Sequence, residues 1–467
     1  MTIAVAVVTL LATLVFAVSP GFAGVAELRE LRLDDGEIDA IVDHDKSEMV
    51  DWKRSSLAGL TEVRWTLSSG PGSRIRCVAL LPLASKWDGR FHGWGSGGTA
   101  GYVSLPLNLA RTGGAAAYTD MGTSVEVRNN LNALIDYGHR ATHLMTVSAK
   151  RIVTAFYGKP PHHSYFHGES TGGGQGLHEA LRYPQDYDGI VAGVPMIRRL
   201  GFYHDWVYRQ RFSRNGKDRF TSRQYEAVRR AGIEYFKDKD EAWARGKCLT
   251  DPLPTPERTE AILEIAKRLD PSLDDPDLLG RLRKIYTPVR ICGEEVHPAM
   301  PYGTDIRQAG GTGSGAWFQW RFGGRSTFDV SDDERRACAE EWGPILNSNG
   351  TDLSAFRAAG GKLLVYGGLA DGCIPGENQM AWYRRVVPAN GGQGAVDEFL
   401  RLYMLPGRYH VSGVGPAGVQ SIDSMRIIID WVERGRAPEV VVGALKGGGK
   451  RPVTPYRAEV TGRTCRP

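Results

Sequence analysis

The sequence predicts an α/β fold with a mostly parallel sheet that a long helical insertion divides into two parts. Short apolar strands alternate with helical segments in the first half of the chain, and the alternation returns after residue 361. Strands and helices that alternate form parallel sheets, because each crossover helix packs on a sheet face. Residues 197–345 are instead rich in charged and aromatic residues. We therefore predict core segments at 24–196 and 346–467, with 197–345 as a lid insertion.

The individual elements follow from runs of apolar residues and from helical periodicity. The strands are expected at Cys77–Pro82, Arg90–Trp94, Ala115–Asp120, Ser164–His167, Ile190–Val194, Gly361–Tyr366 and Phe399–Leu405. The helices are expected at 139–157, 176–183, 223–236, 255–268 and 422–435. The segment from residue 24 to about residue 75 has no clear pattern.

Composition excludes several classes of protein. The 467 residues are 42% hydrophobic and 24% charged, so a packed core is feasible and general disorder is excluded. The formal net charge is +5, and the basic residues are dispersed. Because tracking a phosphate backbone requires Lys and Arg concentrated on one surface, we expect no nucleic-acid partner.

The amino terminus is typical of an exported protein. Ile3 to Val18 is an apolar run, and Gly21 and Ala23 supply small residues just before Gly24. This pattern predicts a signal peptide at 1–23 and a secreted or periplasmic protein with no stable membrane span after cleavage. A retained anchor and a cytosolic chain are the alternatives.

The six cysteines form no C-x-x-C pair, which makes a zinc or redox motif unexpected. In an exported protein an even number of cysteines permits disulfide bonds, and we expect some here. The sequence does not specify their pairing, because six cysteines allow about 15 connectivities.

The pentapeptide Gly168–Gly172 matches the pattern G-x-S-x-G. It follows an expected strand and precedes an expected helix. A serine on such a sharp strand-to-helix turn exposes its Oγ, and the glycines permit close packing on either side. The context predicts the nucleophile elbow of an α/β-hydrolase fold with Ser170 as the nucleophile. An ordinary serine in a glycine-rich turn is the alternative.

A nucleophilic serine needs a base and a carboxylate that orients the base. In this fold the chain order is nucleophile, acid, histidine. Asp371 follows an expected strand, at the edge of the sheet where the crevice forms. His410 is the only histidine after Asp371, and it also follows a strand. We predict a triad of Ser170, His410 and Asp371; a turn aspartate and a surface histidine are the alternatives.

An acyl-transfer site also needs donors for the oxyanion. One donor is expected to be the backbone N–H of Thr171, directly after the nucleophile. The second is expected from the glycine loop Gly95–Gly98, from either Gly97 or Gly98. The sequence does not choose between these two, and a flexible turn is the alternative.

The remaining histidines include His139, His143, His162 and His163, and the sequence places no acidic residues at metal-ligand spacing from them. We therefore interpret them as structural or surface groups. We expect neither a metal ion nor a cofactor.

Motifs around the elbow and in the last third of the chain carry a family resemblance. They are Gly89–Phe91, Tyr118–Asp120, Phe156–Pro161, Ser170–Gly173, Gln175–Leu177, Arg182–Pro184, Asp188–Gly193, Asp352–Phe356, Gly360–Leu363 and Trp431–Pro438. Over roughly residues 75–195 and 350–440 the chain resembles the tannase and fungal feruloyl esterase family of α/β-hydrolases. The resemblance implies that Ser170, Asp371 and His410 form the triad and that the lid contributes to specificity.

Two features depart from that family. Its members usually carry bridged cysteines directly before the serine and directly after the histidine, where this chain has Glu169 and Val411. We expect packing alone to hold the two loops, with the Cα atoms of these residues about 4.4–6.8 Å apart. The family also commonly has an Asp-rich calcium loop in the lid. The stretch Lys237–Glu241 interleaves lysines instead, so we expect no calcium site.

The motifs predict an exported serine esterase, and the resemblance implies that it acts on small esters of aromatic or phenolic acids. Aromatic residues of the lid are candidates for an aryl pocket, namely Trp206, Trp317, Phe318 and Trp320. The alternatives are an acyltransferase with the same triad, a peptidase and a non-catalytic binding protein. The sequence specifies neither the acid, the alcohol nor the oligomeric state.

Overall fold

The computed structural model describes residues 24–44, 49–50, 55–123, 127, 130–204, 220–237, 239, 253–304, 306, 320–323, 325, 329–410 and 418–458. The expected signal peptide lies outside these residues. The central feature is a nine-stranded sheet. Its strands are β1 (Gly36–His44), β2 (Leu60–Leu67), β3 (Ile75–Pro82), β4 (Arg90–Trp94), β5 (Ala115–Thr119), β6 (His163–Glu169), β7 (Gly189–Gly193), β8 (Lys362–Gly368) and β9 (Leu400–Leu405).

The order of the strands is β1-β2-β3-β5-β4-β6-β7-β8-β9. From β5 to β9 all neighbouring strands are parallel, whereas β1, β2, β3 and β5 pair antiparallel. The mostly parallel sheet predicted from the sequence is therefore confirmed. Strands β1 and β2 lie in the segment that has no clear sequence pattern.

Helices flank the sheet and fill the segment between β7 and β8. In chain order they are α1 (Val25–Glu30), α2 (Leu107–Arg111), α3 (Leu131–Ile135), α4 (Ala141–Tyr157), α5 (Thr171–Arg182), α6 (Ser222–Phe236), α7 (Pro256–Leu269), α8 (Pro276–Ile285), α9 (Asp332–Leu346), α10 (Ser354–Ala358), α11 (Glu377–Ala389), α12 (Gln393–Asp397) and α13 (Ser424–Arg434). A π-helical turn, Asp136–Arg140, leads into α4. Helix α5 begins five residues earlier than the sequence suggests, because its first turn is built from glycines.

Alternate side chains of the central strands enter two different cores, as the period of two in a strand requires. In β8, Leu363 and Val365 pack with residues of α4, α5 and α11. Leu364 and Tyr366 point to the other face and pack with Ile428 of α13. The sheet is therefore covered on both faces, which explains its nearly continuous apolar strands.

The chain between β7 and β8 contains helices α6 to α10 and a hairpin of Val289–Ile291 with Glu294–His297. Helices α6, α7 and α8 share an apolar cluster of their own. Thr221 begins α6 with a capping box, in which its side chain and that of Gln224 satisfy each other's backbone N–H groups. Within the described residues, no helix combines the length and the apolar character needed to cross a bilayer.

The cysteines do not bear out the expected disulfide bonds where they are described. Cys77, Cys292, Cys338 and Cys373 are not joined by any disulfide. Cys77 is on β3, and Cys338 is buried within α9. The other two cysteines, at 248 and 465, lie outside the described residues.

Candidate active site

Ser170 lies on the sharp turn between β6 and α5. Its φ is 61° and its ψ is −119°, a conformation that is strained for any residue with a side chain. Hydrogen bonds hold it there. The Ser170 N–H donates to the Gly193 carbonyl at 3.0 Å, and the Ser170 carbonyl accepts from the Met196 N–H at 3.1 Å. This is the geometry of a nucleophile elbow.

The glycines around the elbow are required by close backbone contacts. A Cβ on Gly168 would lie 2.2 Å from the Gly172 carbonyl oxygen, and a Cβ on Gly95 would lie 2.6 Å from the Gly172 Cα. Both distances are far below van der Waals contact. The glycine loop after β4 and the first turn of α5 therefore pack backbone to backbone, which places this loop beside Ser170.

Asp371 and His410 are in direct contact beyond the carboxyl ends of β8 and β9. His410 Nδ1 lies 2.9 Å from Asp371 Oδ2. Asp371 is completely buried, and its Oδ1 accepts the backbone N–H groups of Cys373 and Ile374, both at 2.8 Å. The carboxylate is thus fixed on both sides, and it can orient the imidazole and hold a proton on Nδ1.

The charges around His410 shift its pKa. Burial lowers the pKa, but the charge and hydrogen bond of Asp371 raise it by more. Glu169 adds to the rise, and Arg408 opposes it. The net result is a pKa above the ordinary value of 6.5. A histidine with a raised pKa is neutral, and so can accept a proton, only above that pKa.

The structure brings the histidine and the aspartate together and places the serine on a nearby strand end. Ser170 follows β6, and β6, β7, β8 and β9 are consecutive in the sheet. Among the described residues, no hydrogen bond joins Ser170 Oγ to His410. Such bonds are often long in free enzymes and shorten when substrate is bound.

The residues expected to bind the oxyanion are also adjacent. Thr171 Oγ1 donates to the Gly98 carbonyl at 2.5 Å, and the Ser96 N–H donates to Gln175 Oε1 at 2.7 Å. These two bonds tie the glycine loop to α5. In the described part of the chain, the backbone N–H groups of Thr171, Gly97 and Gly98 donate no hydrogen bond.

The contacts of Glu169 correct one expectation from the sequence. Glu169 Oε1 lies 3.0 Å from Arg408 Nη2 and also accepts a hydrogen bond from the Tyr366 hydroxyl. The serine and histidine loops are therefore joined by an ion pair, and not by packing alone. Val411 lies outside the described residues, so the expected Glu169–Val411 separation stays a prediction.

Acidic residues lie beside some of the histidines that the sequence analysis interprets as structural or surface groups. Two groups converge: His143 with Glu179 and Asp186, and His162 and His163 with Glu433. In the first, His143 Nδ1 is 2.7 Å from Asp186 Oδ2, and Glu179 is fully buried with neither oxygen bonded to a donor. Lys150 bonds the Asp186 carbonyl, so positive charge is already supplied there. The fold, and not the local spacing, creates these groups.

The lid residues that the sequence singled out are only partly described. Trp206, Trp317 and Phe318 lie outside the described residues, as does most of the stretch 237–241, so the aryl pocket and the missing calcium site stay predictions. Trp320 is half-buried and packs edge-on against Tyr137, with ring centroids 5.2 Å apart.

The sequence matches the family model described as "Tannase and feruloyl esterase" over residues 72–242 and 323–464, which is more than half of the chain. A probable feruloyl esterase from Arthroderma benhamiae is 29% identical over 431 residues, covering 83% of this chain and 79% of that protein. Feruloyl esterase B from Aspergillus niger is 27% identical over 421 residues, covering 82% of this chain and 79% of that protein.

Solved structures share the fold at lower identity. Feruloyl esterase B from Aspergillus oryzae superposes with a TM-score of 0.77 at 22% identity, covering 92% of this chain and 95% of that one. Tannin acyl hydrolase from Aspergillus niger gives 0.71 at 18% identity, covering 92% of this chain and 91% of that one. The α/β-hydrolase fold and the family resemblance predicted from the sequence are thereby confirmed.

Proposed function

The chain belongs to the tannase and feruloyl esterase family of carboxylic ester hydrolases, and we propose that it cleaves esters of aromatic or phenolic acids with Ser170 as nucleophile, His410 as base and Asp371 as orienting acid. The observation that carries this proposal is the 2.9 Å contact between His410 Nδ1 and Asp371 Oδ2. The contact lies at the carboxyl edge of the same parallel strands that carry Ser170, which is held at a φ of 61°.

The proposed reaction has two acyl-transfer steps. His410 Nε2 takes the proton of the Ser170 hydroxyl while Oγ attacks the ester carbonyl, and the imidazolium then gives that proton to the departing alcohol. Water attacks the resulting acyl-enzyme with the same histidine as base, which releases the acid and frees the serine. Asp371 keeps the proton on Nδ1 and stabilises the imidazolium.

The oxyanion is proposed to accept hydrogen bonds from the backbone. The Thr171 N–H and one N–H of the loop Gly97–Gly98 are the donors, and the bond from Thr171 Oγ1 to the Gly98 carbonyl fixes one relative to the other. Donors that are already in position lower the barrier, because they need no rearrangement as charge develops.

The acid component is inferred from the family. Similar proteins carry the names feruloyl esterase and tannin acyl hydrolase, and both names denote esters of phenolic acids. The test is the kcat/KM of the purified protein on feruloyl, galloyl, terephthaloyl and aliphatic methyl esters. We expect a preference of at least about tenfold for an aromatic acyl group, since burying an aromatic ring on binding contributes more than about 1.4 kcal/mol. A preference for the aliphatic ester would contradict the assignment.

The same assay distinguishes hydrolysis from acyl transfer. Addition of a competing alcohol should leave the free acid as the main product. If the new ester dominates at low alcohol concentration, the protein is an acyltransferase that uses the same residues.

We also propose that the protein is exported, because the apolar run from Ile3 to Val18 is followed by small residues before Gly24. The amino terminus of protein recovered from the medium or periplasm should then begin near Gly24. Full-length protein confined to the cytosol would contradict export.

A further inference from the structure

An ion pair connects the strand that carries the serine with the loop that carries the histidine. Glu169 is the last residue of β6, directly before Ser170, and Arg408 lies two residues before His410. Glu169 Oε1 and Arg408 Nη2 are 3.0 Å apart. Tyr366 is on β8, which lies between β6 and β9 in the sheet. Its hydroxyl donates to the same carboxylate oxygen of Glu169.

Arg408 is fixed by contacts with several elements. Its side chain is 5% exposed, its Nη1 donates to the Gln420 carbonyl, and its guanidinium lies 5.5 Å from the centre of the Tyr366 ring. Its own carbonyl accepts the N–H of Ala370 at 3.1 Å, and Ala370 directly precedes Asp371. Arg408 therefore contacts the aspartate loop as well as Glu169.

We propose that Glu169 is a positioning residue, which through Arg408 fixes the histidine loop against the serine strand and through its carboxylate sets the charge that His410 experiences. This inference rests on the proposed function of Ser170, His410 and Asp371. Because Arg408 is buried and charged, it needs the carboxylate of Glu169 as a counter-charge. Glu169 and Arg408, together with the bond from Ala370 to the Arg408 carbonyl, thus connect the chain segments that carry Ser170, His410 and Asp371.

Within the described part of the chain, the charged groups that act on His410 come from three elements. Asp371 is on the loop after β8, Glu169 is at the end of β6, and Arg408 is on the same loop as the histidine. Burial lowers the pKa of His410, the two carboxylates raise it and the guanidinium lowers it. Removing Glu169 or Arg408 should therefore move the acid limb of the pH profile in opposite directions.

The test is the pH dependence of kcat and kcat/KM for Glu169→Gln and Arg408→Gln. In Glu169→Gln the acid limb should move to lower pH by about 0.3–1 unit, because a negative charge near the imidazole is lost. In Arg408→Gln it should move to higher pH by a similar amount. The plateau kcat should fall in both variants, by about three- to thirtyfold, as the loops lose their contact.

Conservative variants separate the charge from the contact. Glu169→Asp keeps the charge but shortens the side chain, so the acid limb should stay within about 0.2 unit of wild type while the plateau kcat falls. Arg408→Lys keeps the charge and loses the planar fork, and the same result is expected. These two variants provide the test if the glutamine variants do not fold.

The matched control is Glu433→Gln. Glu433 forms a bidentate ion pair with Arg90, with N–O distances of 2.6 and 2.7 Å. Arg90 begins β4, so this pair lies at the end of the sheet opposite to Ser170 and His410. This variant should lower thermal stability without moving the acid limb. If Glu169→Gln keeps the wild-type limb and plateau, Glu169 is not a positioning residue. That result would not contradict the proposed function. The proposed function is contradicted by a different result, namely that Ser170→Ala remains active.

Discussion

Replacement of Asp371 by asparagine should place the His410 proton on the wrong nitrogen. In the native site Oδ1 accepts the N–H groups of Cys373 and Ile374 at 2.8 Å each, and Oδ2 faces His410 Nδ1 at 2.9 Å. The asparagine oxygen must stay with the two backbone donors. Its NH₂ group then faces Nδ1 and donates to it.

The two backbone hydrogen bonds to Oδ1 determine how strongly one orientation of the asparagine amide is preferred. Turning the amide round would leave two buried N–H groups unpaired, at about 1–3 kcal/mol each, so the unfavourable orientation should be rare. With Nδ1 as acceptor, the proton sits on Nε2, and His410 cannot take a proton from Ser170. We expect a loss of about 10⁴ in kcat, the size seen when a triad histidine has the wrong tautomer.

Raising the pH should not restore the activity of Asp371→Asn. Loss of the carboxylate removes the largest influence that raises the pKa of His410, so the imidazole loses its charge at lower pH than in the wild type. A further rise in pH does not move the remaining proton from Nε2 to Nδ1. In the wild type, by contrast, activity should rise with an acid limb centred above pH 6.5, since the pKa of His410 is raised and its neutral form is the base.

The assay measures the initial rate at which a chromogenic aryl ester releases its coloured phenol. Circular dichroism confirms that the variant is folded. Asp120→Asn is the matched control, because Asp120 is also fully buried and accepts two backbone N–H groups, from Arg76 at 3.0 Å and Gly122 at 2.8 Å. It should lose stability with much less effect on kcat. A folded Asp371→Asn enzyme with more than about a tenth of the wild-type rate would refute the reasoning.

Three further variants test other parts of the site and core. Ser170→Ala should lose about 10⁴–10⁶ in kcat, and a folded variant above about a tenth of the wild-type rate would exclude it as the nucleophile. Gly95→Ala places a Cβ 2.6 Å from the Gly172 Cα, so denaturant unfolding should show a loss of about 1–3 kcal/mol or more together with lower kcat; no loss would contradict the close packing. Burial and the charge of Asp186 raise the pKa of Glu179, so the folded state keeps its proton and stability falls as pH rises from the unfolded pKa through the folded one. Glu179→Gln should therefore be more stable than wild type at pH 8 and equal to it near pH 4, and a destabilised variant at pH 8 would mean that the carboxylate is paired.

The strands that the sequence predicts well are those that bury both faces. All five residues of β5 and all six of β9 are buried, and each is a nearly continuous apolar run. Strand β1 is different, because it lies at the edge of the sheet and all its residues except His44 are partly buried or exposed. Its polar residues are therefore tolerated, and the sequence leaves it without a clear pattern.

The candidate site also contains residues that the sequence predicts and contacts that it does not. Ser170, Asp371 and His410 can be predicted because a local motif and a fixed chain order point to them. The contacts between Glu169 and Arg408, 239 positions apart, and between His143 and Asp186, 43 positions apart, depend on how strands and helices meet. No local spacing records such contacts, so only the folded chain shows them.

The ion pair between Glu169 and Arg408 also differs physically from the disulfide that the family resemblance implies between positions 169 and 411. A disulfide restricts the unfolded chain and so stabilises the fold through entropy, whereas an ion pair acts only once the fold has formed. Arg408 is 5% exposed and Glu169 is 38% exposed, so salt reaches one partner and hardly the other. Loss of Glu169 alone would leave a buried cation without its counter-charge, which costs more than the pair itself contributes. Each single replacement should therefore destabilise the protein more than the double replacement does, and the coupling measured in a double-mutant cycle of Glu169→Gln with Arg408→Gln should be large and favourable.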